Sequence, residues 1–169
     1  MDAAEEPRLL LTLNLYADDL RAGDRIHSGR GRTITESDIV AFSAFSGDWS
    51  SLHTDVEWCA TNSPFRDRIA QGFLTLSVAT GLEFTIFGSS QDKVLAFYGI
   101  DRLRFLRPVF IGDTIHVEGS IAAIQEKDDT RSVVIIKQEI KNQAGETVVA
   151  LDKRLLMKKR SYDQEGDSI

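Results

Sequence analysis

One cysteine, three prolines and three histidines are all that the 169 residues hold of those types. Cys59 on its own cannot close an intramolecular disulfide, which suits a reducing compartment, and the cytoplasm is the expected location. Neither CxxC nor HxxxH spacing occurs, and His27, His53 and His116 are scattered, so no metal site is predicted. A long apolar run is also missing. The most apolar segment, 73–88, is interrupted by Glu83 and by Thr75, Ser77, Thr80 and Thr85, too short and too polar for a membrane span. The first residues, Met1-Asp2-Ala3-Ala4-Glu5-Glu6, lack the basic start of a signal peptide. Basic residues are in deficit: the formal net charge is −6 and the pI about 5.1. That argues against nucleic acid and anionic membranes as partners. A small anionic ligand held by a local Arg or Lys cluster stays open.

What is present is an ordinary globular composition, 42% apolar and 27% charged, in a chain long enough for one domain with a sizeable core. Residues 1–23 read as an N-terminal extension, 24–160 as the domain and 161–169 as a flexible tail. Leu9-Leu10-Leu11-Thr12-Leu13 is apolar enough to pack on the body, and 25–34 reads as a short, Gly-interrupted strand. Thr35, with an acid three residues on at Asp38, has the form of a capped helix start. Ile39, Phe42 and Phe45, with Val40 and Ala41, predict a buried stripe that Gly47 ends. Asp55 opens a second helical stretch that Pro64 closes. From Gly72, the residues Phe73, Leu74, Leu76, Val78, Ala79, Leu82, Phe84, Ile86 and Phe87 surround nearly the whole helical circumference, which predicts an enclosed helix. After Gln91 come four β-type segments, 94–107, 114–124, 132–141 and 147–158, joined by turn-like sequences. Short turns between consecutive strands predict an antiparallel meander. The fold class is therefore α+β, with a sheet curled around one long buried helix.

The stretch with the most chemistry is Phe45-Ser46-Gly47-Asp48-Trp49-Ser50-Ser51-Leu52-His53. Five residues advance a regular helix by about 140°, so Asp48 and His53 could not meet on one. A loop reversing after Gly47 can aim both at a single small volume. A carboxylate and an imidazole that share one water can perform general acid–base chemistry on a neutral substrate.

Ser46-Gly47-Asp48-x-x-x-Leu52-His53 resembles the MaoC-like hydratase/dehydratase family, which includes the (R)-specific enoyl-CoA hydratases. Ile69-Ala70-Gln71-Gly72-Phe73-Leu74-Thr75 is similar to the family's helix start, and Tyr98 to Val109, then Gly112-Asp113-Thr114, to its strand and following turn. The resemblance runs from about Thr33 to Lys158. It implies a single hot-dog fold, an antiparallel sheet wrapped around a long helix, assembled as a homodimer or higher homo-oligomer. It implies reversible hydration of a trans-2-enoyl thioester, carried by coenzyme A or acyl carrier protein, to an (R)-3-hydroxyacyl thioester. No cofactor beyond the coenzyme A of the substrate is expected. By position, Asp48 and His53 would be the catalytic pair and Gly72 N–H the oxyanion donor; Gln71, Phe73 and Thr80 would bind substrate.

Three departures stand out. Ser50-Ser51 replace the family's Asn-Pro, Gln71 its His, and Phe73 its Met. Ser50, Ser51 and Gln71 favour, as one alternative, a non-catalytic acyl-thioester-binding or assembly subunit; a hot-dog thioesterase is the enzymatic alternative, ranked below because Asp48-x4-His53 is the hydratase arrangement. Arg102, Arg104 and Arg107 could meet the phosphates of coenzyme A or form the solvated face of a strand. The Thr80 hydroxyl could equally return a bond to the preceding helical turn. His27 and His116 read as surface residues. Glu83 would lie at a wet helix end or pair with an arginine.

Overall fold

The computed structural model describes residues 7–10, 15–87 and 92–166; Leu11-Thr12-Leu13 and the side chain of Phe87 lie outside the described residues. In chain order the elements are β1 (Leu9–Leu10), a 3-10 turn (Ala17–Asp19), β2 (Arg25–His27), β3 (Arg32–Thr33), α1 (Glu36–Ser46), α2 (Ser51–Thr54), α3 (Val56–Asn62), α4 (Gly72–Phe87), β4 (Val94–Phe105), β5 (Thr114–Glu126), β6 (Arg131–Lys141), β7 (Thr147–Lys158) and α5 (Arg160–Gly166). The segment read as a tail thus contains α5, where Asp163 accepts from Tyr16 Oη at 2.7 Å and Lys158 Nζ at 2.8 Å. Residues 167–169 lie outside the described residues.

Local signals set the helix ends. The Thr35 side chain accepts from the Asp38 N–H while Asp38 accepts from the Thr35 N–H, a reciprocal cap on α1. Gly47 ends that helix at φ 80°, a left-handed conformation that favours glycine. Asp55 caps α3 by accepting from the Trp58 N–H at 2.8 Å.

Among the described residues, seven strands form one sheet in the order β1-β2-β5-β6-β7-β4, with β3 also on β5. All pairings are antiparallel except β1 with β2. The meander expectation holds for β5, β6 and β7 but fails for β4, which lies beside β7 at the far edge. The physical reason is the 106–113 connection: Leu106 N–H bonds to Val148 O and Ala70 N–H to Val109 O, so the chain crosses the start of α4 before entering β5. Ile34, Ile39, Leu74, Val78, Ala79 and Leu82 join Ile115, Val117, Ile140 and Val149 in the main core. A sheet wrapped around a long helix is the hot-dog fold, as the resemblance implied.

Two burial expectations need correction. Within this one chain α4 is covered on one side only; Phe73 is 68% exposed and Phe84 58%, with Ser77, Thr80 and Gly81 along the same uncovered stripe. Edge strand β4 continues that apolar face through exposed Phe97 and Phe105, and Tyr98 and Ile100 are exposed on the same strand. On α1, Phe45 is 88% exposed, and Ser43 rather than Phe45 occupies the inner face. No helix among the described residues is long and apolar enough to cross a membrane.

Candidate active site

Asp48 sits on the loop that leaves α1. Ser46 Oγ donates back to Phe42 O at 2.7 Å and accepts from the Asp48 N–H at 3.2 Å. Asp48 Oδ1 then accepts from the Ser50 N–H at 3.2 Å, and Ser50 caps α2 by accepting from the Leu52 N–H at 3.4 Å. The serines therefore supply the local side-chain-to-backbone bonds that this loop needs. Ser51 adds its carbonyl, which accepts from the Asp55 N–H at 3.0 Å. Ser50 makes such a side-chain-to-backbone bond as the cap of α2.

α2 carries His53 into the interior, where it is 9% exposed. Its Nδ1 lies 2.7 Å from the carbonyl oxygen of Ile69. A carbonyl can only accept, so the proton belongs on Nδ1 and the neutral ring keeps its lone pair on Nε2. That Nε2 is 3.7 Å from Asp48 Oδ2. The gap is too long for a direct hydrogen bond, but one water can lie within about 2.8 Å of both acceptors and donate a proton to each.

Gly72 begins α4, with Gln71 as its cap: Thr75 N–H bonds to Gln71 O at 3.1 Å. The Gly72 N–H consequently has no acceptor within its own helix and stands at the positive end of the helix dipole. A cavity of about 450 Å³ opens there. Its walls include His53, Gly72, Phe73, Phe105, Arg107 and Val149. Asp48 does not itself line the cavity; it approaches through His53 Nε2.

The other predicted site residues divide. Phe73 lines the cavity and meets Phe105 edge-on at 6.5 Å between ring centroids. Gln71 turns away from it, buried, and its amide donates to Ser43 Oγ at 2.9 Å. It thereby ties α1 to α4, a consequence of standing at the cap where the chain passes under α1. Thr80 donates to Leu76 O at 3.0 Å and faces a different cavity of about 270 Å³ with Glu83, Phe97 and Lys153. Of the three arginines only Arg107 reaches the His53 cavity, with its Nε 3.3 Å from Glu146. Arg102 pairs with Asp152 instead, and Arg104 donates to Leu103 O.

Two groupings were invisible in the sequence. Glu83 pairs in the interior with Lys153, not with an arginine, and also accepts from Gln138 Nε2. Burial pushes the Lys153 amine down to about 8. On the opposite face of the sheet, His27, His116 and Glu118 converge, beside a larger groove of about 790 Å³.

A sheet wrapped against one long helix, with a cavity at the helix start, defines a single-hot-dog protein with an Asp/His pair beside that start. Residues 20–143 match the family model described as MaoC like domain, and the chain belongs to that family. Over 102 residues it is 39% identical to Protein MaoC of Klebsiella aerogenes, a stretch covering 60% of this chain but 29% of that protein. The chain thus spans under a third of that relative's length. It is 33% identical over 110 residues to the 3-hydroxybutyryl-CoA dehydratase of Methylorubrum extorquens, covering 65% of this chain and 66% of the other. A solved structure described as a monoamine oxidase regulatory protein from Archaeoglobus superposes with a TM-score of 0.80 at 39% identity, covering 92% of this chain and 99% of that one.

Proposed function

We propose that this chain is an (R)-specific enoyl-thioester hydratase/dehydratase. The observation that carries the reading is His53: its Nδ1 is held by the Ile69 carbonyl, and its Nε2 faces Asp48 beside the cavity that Gly72 lines. In the hydration direction, one water bridges Asp48 and His53. One member of the pair takes a proton from that water as its oxygen bonds to C3 of a trans-2-enoyl thioester. The electron pair of the double bond moves toward the carbonyl, whose oxygen becomes enolate-like and accepts from the Gly72 N–H. A proton delivered from the pair to C2 completes the (R)-3-hydroxyacyl thioester, and the pair regains its starting charge. The reverse sequence is dehydration.

Arg107, at the cavity, is the candidate partner for a phosphate of coenzyme A or of an acyl carrier protein's prosthetic arm. No further cofactor enters the scheme. The uncovered stripe of α4 and the apolar edge β4 support a homodimer, since an exposed apolar patch of this continuity marks an interface. The buried thiol of Cys59 accords with a cytoplasmic enzyme. The family membership and the dehydratase name of the Methylorubrum relative support the reaction class.

Incubation with crotonyl-CoA tests the reading. Loss of enoyl absorbance without free thiol is the expected result. Release of thiol instead would establish a thioesterase. Neither signal, across short, long and branched enoyl-CoAs, would move the assignment to an acyl-thioester-binding subunit.

A further inference from the structure

We propose that His27, His116 and Glu118 form a three-ligand site for a divalent transition ion of the zinc class, on the sheet face opposite α4. Strand geometry assembles it. His116 and Glu118 stand two apart on β5, so their side chains leave the same face. Antiparallel pairing then sets His27 of β2 directly opposite Glu118.

The three groups are already near coordination geometry. Their ligand atoms lie within 4.8 Å of one another. Glu118 Oε1 is 3.4 Å from His116 Nε2 and 4.0 Å from His27 Nε2. Zinc bonds of about 2.0–2.2 Å in a tetrahedron require ligand atoms roughly 3.3–3.6 Å apart. The His116–Glu118 edge meets that figure now. His27 must close by roughly half an ångström toward Glu118 and by up to about 1.5 Å toward His116, a movement that a half-exposed imidazole makes by rotation.

The carboxylate is prepared for the task. Lys141 Nζ holds the other oxygen, Oε2, at 2.7 Å and also reaches Glu139 at 3.4 Å. Oε1 is left facing the two imidazoles, and an outer partner that orients a ligating carboxylate is a regular feature of metal centres. Lys141 does not make the cluster cationic, because Glu118 and Glu139 outnumber it. Two imidazoles and one carboxylate favour zinc and its neighbours over magnesium or calcium, which take oxygen ligands.

One bond must change. Gly29 N–H donates to His27 Nδ1 at 2.9 Å, which places the neutral ring's proton on Nε2. Coordination through Nε2 moves that proton to Nδ1 and releases the Gly29 amide. Uptake of the ion therefore carries a local signature at a backbone group that is not a ligand. Bound there, the ion would cross-link β2 to β5. Its remaining coordination positions would lie beside the groove that His27 and Glu118 line.

The test is titration of the tag-free full chain with zinc chloride, followed by calorimetry and by amide NMR. The expected result is saturable uptake of one ion per chain with a shifted Gly29 amide. His27→Gln and His116→Gln should each lower the affinity at least tenfold, whereas His53→Gln should leave it unchanged. Cobalt(II) in place of zinc should give the visible absorption of a low-coordinate N/O site. Absence of stoichiometric uptake, or wild-type affinity in either His27→Gln or His116→Gln, would overturn the proposal.

Discussion

Gly72 lies against the ring of Phe105 so closely that a methyl group added at Gly72 would meet Cε1 at 2.7 Å and Cζ at 2.8 Å. The glycine is there for approach, since α4 begins where edge strand β4 ends. Gly72→Ala must therefore displace either the aromatic ring or the helix start. Overpacking of this kind costs about 1–3 kcal/mol. If the N–H is displaced as well, crotonyl-CoA hydration should fall by about 10² to 10³ in kcat, the usual effect of losing one oxyanion donor. Phe105→Leu on the same background should restore stability first. Undiminished turnover by Gly72→Ala would remove this amide from the mechanism.

Asp48 and His53 should separate in their effects on stability. Asp48 is about half-exposed, so Asp48→Asn should leave the melting temperature nearly unchanged while removing most hydration. His53→Ala should also abolish turnover, but it strips the part-buried Ile69 carbonyl of its donor and leaves a void where the buried imidazole stood. A cost of about 1–3 kcal/mol is expected. Thermal melts beside single-turnover assays distinguish the two patterns. Near-full activity in either variant would contradict the assigned pair.

How far such residues could be read in advance depended on the range of the interaction that places them. The Thr35–Asp38 cap, the Gly47 stop and the run of β5, β6 and β7 follow from rules spanning a few residues, and each was legible. The convergence of Asp48 with His53 was legible because it needs only a local reversal. β4 was misplaced because nothing local says that 106–113 crosses the start of α4. Gln71 was read as a substrate contact, but its direction depends on Ser43, which only the packing of α1 on α4 brings near. Lys153 could not be matched to Glu83, nor His27 to His116, without the register of the sheet.

Stability at acid pH should depend on Asp24. Its side chain is buried against Arg8, with the Arg21 N–H also donating at 2.9 Å. The hydrogen bond from Arg8 holds its carboxyl below the ordinary value of 3.8. Because the folded value is the lower one, the unfolded chain binds the proton more tightly. The stabilisation is complete above about pH 4 and is lost as pH falls through the folded value. Asp24→Asn should flatten that acid limb in urea melts between neutral pH and pH 2. An unchanged slope would show that Arg8 contributes nothing there.

The Glu83–Lys153 pair gives the sharpest stability prediction. Both side chains are buried, and Gln138 supplies a further bond to the carboxylate. Removing one member strands the other in a poor dielectric, so Glu83→Gln or Lys153→Met should each cost about 3–5 kcal/mol. The double variant Glu83→Leu with Lys153→Met removes both charges, so it should cost less than either single change. Lys153 also imposes a sign on the alkaline limb. Burial lowers its amine from 10.5 to about 8, so between those values the unfolded chain holds a proton that the native one has shed. Stability should consequently rise with pH across that window in the wild type, and the Lys153→Met variant should lack the rise. Chemical denaturation at pH 6 to 7, where Lys153 is still charged, measures the cost of the single and double variants, and at pH 8, 9 and 10 the alkaline rise; a double variant less stable than both singles would show that the pair's cost was wrongly assigned to stranded charge.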